Sequence, residues 1–141
     1  MLQLHDMCLE DLKNPAKARS YNQRLLDAQP RHSLANYNAG NFYYREAIPL
    51  KKSMPEAYKE NMNKAVEYYT LAIGYSDSFA LPLVYRGMCY VEGERYDLAL
   101  EDFKKAVEID DKQTLAHHQL AALYEYYGEP EKAAAHAAKA D

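Results

Sequence analysis

The sequence predicts an all-α protein of antiparallel helical hairpins stacked as a solenoid, about four repeats forming a single domain over 1–141. Two observations carry that prediction. Gly (5) and Pro (6) are scarce in 141 residues, while apolar residues make up 48% and charged residues 27%. This is the balance of a folded chain that lacks the turn-dense composition of an all-β sandwich. The second observation is a period. Ala65, Tyr69 and Ala72 return as Ala99, Phe103 and Ala106, Ala99 and Ala106 return as Ala133 and Ala140, and Tyr90 returns as Tyr124, each step being 34 residues. A fixed period of this length marks an architecture in which each unit buries its apolar face against the next.

Breakers and caps place the helices. The first two are predicted at 2–12 and 16–28, with Asn14 as N-cap and Pro15 in the first turn, where its missing N–H costs nothing. The next begins at Ser33, read as an N-cap, and runs to about 49, followed by about 56–75, 79–92, 96–109, 113–127 and 130–140, the last opened by Pro130. Gly74, Gly93 and Gly128 fall at helix ends. Repeat boundaries are then about 1–32, 33–79, 80–113 and 114–141.

One repeat is longer. Gly40 to Gly87, Tyr43 to Tyr90, Ala18 to Ala65 and Leu25 to Ala72 are all spaced by 47, so 13 extra residues lie between Tyr43 and Ala65, taken as an insertion at 45–58. Lengthening both helices of the hairpin by about two turns would project its tip by roughly 10 Å. Pro49 then kinks or ends the first of them. Pro49, Pro55 and the Lys51-Lys52 pair leave a disordered loop as the alternative.

A 34-residue period with Gly-x-x-Tyr in one helix and Ala-x-x-x-aromatic-x-x-Ala in the next resembles the tetratricopeptide repeat family. The best copy, 80–113, carries Leu83, Gly87, Tyr90, Ala99, Phe103 and Ala106, with Leu83, Arg86 and Asp111 where the family has Trp, Leu and Pro. Residues 33–79 keep Gly40, Tyr43, Ala65, Tyr69 and Ala72 with Asn36 in the Trp slot, and 114–141 keep Leu120, Tyr124, Ala133 and Ala140. The first copy offers Leu2, Leu9, Ala18, Leu25 and Pro30, against His5, Asp6 and Asn22 where apolar, small and aromatic residues belong. The resemblance implies a right-handed superhelix. Gly, or Ala121 in the last copy, lets two helices approach, and Tyr or Phe fills the space beside them.

Net charge is −4 with a pI near 5.7, so the general attraction that drives binding to nucleic acid or anionic lipid is absent. No apolar run reaches the length of a membrane span, and the N-terminus lacks a basic segment followed by an apolar one. The chain reads as cytoplasmic. Its two cysteines, Cys8 and Cys89, take equivalent slots beside the Tyr position, where Phe42 and Leu123 sit in other copies, and read as core fillers. His5 and Cys8 share a helix face but lack a second ligand pair, so no metal or cofactor is implied. His117 takes the Trp slot and His118 falls on the face that lines the groove, neither beside a nucleophile; Glu108, Asp110 and Asp111 read as a solvated helix end. With no phosphate loop, catalytic triad or CxxC, the chain reads as no enzyme.

Function is left to the concave face, lined by the first helix of each hairpin. Counted from the Gly slot, the inward residues are Leu34, Tyr37, Asn38, Asn41, Tyr44 and Arg45 in the second copy. The third copy gives Leu81, Val84, Tyr85, Met88, Val91 and Glu92, and the fourth Leu115, His118, Gln119, Ala122, Glu125 and Tyr126. This predicts an apolar, Tyr-rich groove that binds a peptide or helix of a partner protein, with pockets at Tyr37, Tyr85 and Met88 and with Asn38 and Asn41 bonding to peptide backbone. The leucines also fit simple packing against neighbouring helices. A self-associating scaffold and a chaperone-type accessory factor are the alternatives.

Some members of the family grip acidic chaperone tails with two Lys, two Asn and one Arg on the inward faces of three repeats. Transferred to the last three copies, those positions are Tyr37, Asn41, Tyr85, Leu115 and Gln119; transferred one repeat earlier they are Gln3, Met7, Asn38, Leu81 and Tyr85. One asparagine matches in each register and every cation is lost, so acidic tails are expected to be refused. The final run AAAHAAKA offers little apolar area, so the last helix is expected to fray or to dock on a second copy through the open end.

Overall fold

The computed structural model describes residues 14–141, which fold into seven α-helices with no strand among them. The helix predicted at 2–12, with Leu2, Leu9, His5 and Cys8, lies outside the described residues. Two compact units divide the chain, one up to Ser76 and one from Asp77.

The first unit contains α1 (Pro15–Ala28), α2 (Ser33–Ala47), a 3-10 turn (Ile48–Leu50) and α3 (Pro55–Tyr75). Helix α1 opens as predicted, with Pro15 in its first turn and Asn14 Oδ1 accepting from the Lys17 N–H at 3.2 Å. Leu25 and Leu26 of α1 pack against Ala35 and Ala39 of α2, with Tyr68 of α3 over them. The cap of α2 is His32 rather than Ser33: the His32 Nδ1 accepts from the Ala35 N–H at 3.1 Å. Ser33 is already helical, which frees its hydroxyl to donate to the Ala72 carbonyl of α3 at 2.8 Å.

The 13 extra residues are an ordered extension of the hairpin. Helix α3 starts 10 residues before Ala65, whereas its counterpart in the next repeat starts 3 before Ala99, so about two turns are added at its N-terminus. The remainder prolongs α2 and forms the 3-10 turn around Pro49, and the Met54 N–H closes the reversal on the Leu50 carbonyl at 2.9 Å. Pro49 has no N–H to continue the α-helical ladder, so α2 ends at Ala47.

The second unit is two hairpins, α4 (Leu81–Glu92) with α5 (Tyr96–Ile109) and α6 (Thr114–Tyr126) with α7 (Pro130–Ala140). The glycine slots explain the closeness of the helices. A Cβ on Gly40 would lie 2.6 Å from Tyr69 Cε1, and one on Gly87 would lie 2.8 Å from Phe103 Cε1, both rings being fully buried. In the last hairpin the same two slots hold Ala121 and Ala137, so a small-large pair is replaced by two small residues.

The slot where the family carries Trp is reused as an anchor. Asn36, buried, donates to the Pro30 carbonyl at 3.0 Å and to the His32 carbonyl at 2.9 Å. His117, fully buried, bonds through Nε2 to the Asp111 carbonyl at 2.7 Å. Each reaches back six residues and ties the preceding loop to its helix.

A polar pin closes each hairpin of the second unit. Arg86 donates from Nε and Nη2 to the two Asp102 oxygens at 2.8 and 2.7 Å, with only 17% and 5% of the two side chains exposed. That paired hydrogen bonding outweighs the desolvation of Arg86 and holds its guanidinium protonated. In the last hairpin His136 occupies the slot of Asp102, its Nδ1 2.8 Å from the Nδ1 of His117. The Asp111 carbonyl can only accept, so His117 carries its proton on Nε2 and accepts at Nδ1 from the Nδ1–H of His136. Tyr124 stacks on His136 with centroids 5.6 Å apart, and Lys139 donates to Asp111 at 3.2 Å.

Candidate functional site

The inward positions of α2 belong to the first unit. Leu34 is 39% exposed and Arg45 is exposed, whereas Asn38, Asn41 and Tyr44 are half-buried. Tyr37, expected to form a pocket, is buried, its ring 5.9 Å from that of Tyr69. The two amides expected to hold a peptide backbone are engaged within the unit. Asn38 Nδ2 donates to Asn22 Oδ1 at 3.4 Å, and Asn41 Oδ1 accepts from the Tyr69 hydroxyl at 2.6 Å. Arg45 lines a hollow of 460 Å³ with Pro15, Ala16, Arg19, Phe42 and Glu46. The Arg19–Glu46 ion pair bridges its wall, and Arg19 lies 5.1 Å over the Tyr43 ring.

In the second unit α4 contributes less surface than its pattern suggested. Val84, expected in the groove, is fully buried: Pro82, Leu83 and Val84 all turn inward, so the first turn of α4 buries three consecutive residues instead of one stripe. Leu81, Tyr85, Met88, Val91 and Glu92 are half-buried. Helix α6 is the open element. Leu115, His118, Ala122, Glu125 and Tyr126 are exposed along one face and Gln119 is half-buried there. Spacing alone places a residue on a face; whether that face is covered depends on the neighbouring elements.

Two residues beside this face escaped the sequence reading. Tyr96 lies with its ring 4.9 Å from that of Tyr126, and Tyr127 meets Tyr126 edge-on at 5.2 Å. The adjacent Tyr126-Tyr127 pair at a helix end was the available signal. His136 was missed because nothing but its 34-residue offset from Asp102 marks it.

No catalytic chemistry assembles among the described residues. Burial, reinforced by Glu92, pushes the Cys89 thiol up to about 12, which keeps it protonated and unreactive at neutral pH. His117 is committed to the pin with His136, and His118 is exposed. Among the described residues no set of three His, Cys, Asp or Glu side chains is placed to hold a metal, and no helix is long and apolar enough to cross a membrane. The paired His5 and Cys8 lie outside the described residues.

Comparison with known proteins completes the description. Residues 86–113 match the profile of the tetratricopeptide repeat. The second tetratricopeptide domain of Spaghetti (RPAP3), solved with the HSP90 peptide SRMEEVD, superposes with a TM-score of 0.64 at 18% identity, over 88% of this chain and 95% of that one. TTC0263, a thermophilic repeat protein of Thermus thermophilus, gives 0.72 at 22% identity over 88% of this chain and 62% of its own length. The chain thus carries a tetratricopeptide repeat at 86–113 and shares the fold of these repeat proteins. MamA of Desulfovibrio magneticus RS-1 shares the fold as well, with a TM-score of 0.67 at 19% identity over 94% of this chain and 67% of that one. No curated protein sequence matches. At these identities the solved tetratricopeptide proteins establish the all-α repeat fold, and the matched stretch 86–113 coincides with the copy in which the repeat residues are most complete.

Proposed function

We propose that the protein is a non-enzymatic interaction module that holds an apolar or helical segment of a partner protein on the first helices of its hairpins. The observation that carries this reading is the open face of α6, where Leu115 and Tyr126, 36% and 67% exposed, bracket His118 and Ala122. Large apolar groups left in water along one stripe are the usual mark of a contact surface. Tyr85 and Met88 of α4 are the further contributors in the same unit, with Val84 removed by its burial; in the first unit Leu34 of α2 is exposed and Tyr37 is removed by its burial. That a neighbour of the same fold was solved with a bound peptide supports the class of ligand.

The experiment is a pull-down with wild type beside Leu115→Glu and Tyr85→Glu, each checked by circular dichroism. A partner lost by about tenfold or more with Leu115→Glu and an unchanged helical spectrum supports the reading; equal retention overturns it. The acidic-tail clamp positions carry Tyr37, Asn41, Tyr85, Leu115 and Gln119, with no cation among them. Titrating SRMEEVD by calorimetry is therefore expected to give a Kd no tighter than about millimolar. A micromolar, salt-dependent value would show a basic surface elsewhere.

A second reading has its own observation. Helix α7 buries only Ala133 and leaves Ala134, Ala135, Ala137 and Ala138 exposed, an alanine surface against which a second copy would stack. Mass by size-exclusion chromatography at several concentrations separates the two readings.

A further inference from the structure

Aromatic rings in this protein are repeatedly covered by the chain's own cations. Arg19 lies over Phe42 and Tyr43, Lys64 over Tyr43, Lys51 over Tyr58, Arg86 over Tyr90 and Lys132 over Tyr124, at 5.1 to 6.0 Å from the ring centroids. The exposed cluster of Tyr96, Tyr126 and Tyr127 is without such cover. Among the described residues no cation of the chain lies over Tyr96, Tyr126 or Tyr127, although the last two are 67% and 43% exposed.

The cluster sits where the tips of the two hairpins of the second unit meet. Glu94, at φ 59°, turns the chain from α4 into α5, and Gly128, at φ 75°, turns it from α6 into α7. The contact of Tyr96 with Tyr126 ties these two turns together. Next to these tyrosines in the sequence come Glu94, Asp97 and Glu125, all exposed and in no ion pair among the described residues. Against these three carboxylates the tips set one exposed cation, Arg95, since Lys132 is already paired with Glu129 at 3.0 Å. Partial desolvation and the field of Asp97 raise the Tyr127 hydroxyl above its ordinary range, which places that carboxylate within electrostatic reach of the rings.

We propose that the tyrosine cluster at the hairpin tips of the second unit is a docking surface for an arginine- or lysine-bearing peptide segment of a partner protein, its cation seated on Tyr126 and its charge balanced by Asp97 and Glu125. A ring face attracts a cation through its quadrupole, and a rim of carboxylates adds salt-dependent attraction while disfavouring acidic partners. This goes beyond the peptide-binding face of the first helices: it shares Tyr126 and Glu125 with that face, but Tyr96, Tyr127, Glu94 and Asp97 lie outside it, and an apolar occupant would not require a cation.

The test uses the full chain and a short peptide, Ac-Gly-Arg-Gly-Arg-Gly-amide, with the citrulline peptide as a neutral isostere, followed by amide chemical shifts. The arginine peptide is expected to shift residues 94–97 and 125–129, more weakly at high salt, and the citrulline peptide to leave them in place. Tyr126→Leu, at a mostly exposed position, should weaken binding roughly two- to fivefold with circular dichroism unchanged. The pair Asp97→Asn and Glu125→Gln should weaken it and flatten its salt dependence. No shifts there at about 2 mM peptide, equal binding of the citrulline peptide, or binding indifferent to all three substitutions would overturn the proposal. A dimer in sedimentation that Tyr126→Leu dissolves would overturn it too, by assigning the cluster to a second copy. Leu115→Glu separates the two surfaces, since it acts on the face of α6 and should leave the arginine peptide bound.

Discussion

The two hairpins of the second unit occupy the same repeat frame and are locked by different chemistry. In α4–α5 a bare glycine admits a buried Phe103 ring, and beside it Arg86 and Asp102 make a paired, largely buried ion pair. In α6–α7 the ring slot is Ala137, and closure falls to His117, His136 and Tyr124, with Asp111 and Lys139 at the rim. A repeat thus fixes where a pin must be and leaves its chemistry open. The first lock combines apolar area with a charge pair insensitive to neutral pH; the second depends on imidazoles.

The contrast is broken most forcefully at the ring. Phe103→Ala should cost about 3–5 kcal/mol by emptying a fully buried site, whereas Ala137→Gly on the exposed counterpart should cost only about 1 kcal/mol in helix propensity. Urea denaturation of both variants checks this. Next comes the charge pair. Asp102→Ala strands a guanidinium that is 17% exposed and should cost about 3 kcal/mol, more than His136→Ala, which removes a neutral partner at about 1 kcal/mol. Gly87→Ala forces a methyl to within 2.8 Å of the Phe103 ring and should destabilise by about 1–3 kcal/mol.

The smallest effects appear with pH. Burial, then the charges of His117 and Lys139, lower the His136 pKa against the opposing pull of Asp111. A base depressed in the folded state contributes stability that is full above its unfolded value, about 6.5, and lost as pH falls through the lower folded value. Asp111 is lowered by Lys139 and loses its contribution in stronger acid. Amide exchange in 130–140 should therefore quicken as pH falls below about 6.5 after correction for intrinsic rates, while 96–109, in a hairpin without histidine, holds. At neutral pH 130–140 should already exchange faster, since α7 buries only Ala133. Equal protection of the two helices in a monomer would contradict both statements.

Much of this architecture was legible because periodicity and breakers are local. Asn14, Pro15, Pro49 and Pro130 act through backbone geometry that no distant residue overrides, and the helix limits they imply lie within about two residues of those found. The glycine-ring partnership was legible from the repeat: Gly87 precedes Phe103 by 16 residues, and Gly40 precedes Tyr69 by 29, the difference being the 13 residues of the insertion. Surface was harder to read. Tyr37 and Val84 satisfy the spacing of an inward face and are covered all the same, Asn41 carries the right chemistry but is engaged by Tyr69, and Ser33 loses the cap to His32. Each of those outcomes is decided by a neighbour that a single sequence with a repeat does not specify.

Cys89 turns the tight packing of α4 into something that can be timed. The residue is 6% exposed and its thiol stays protonated well above neutral pH, so a water-soluble disulfide reagent can react only after the hairpin opens. In a Cys8→Ser background it is the sole thiol of the chain. The labelling rate then gauges opening of α4 from its neighbours, proportional to the open population when reclosing is fast and equal to the opening rate when it is slow. The molecule carries its own stopwatch at the centre of its most complete repeat.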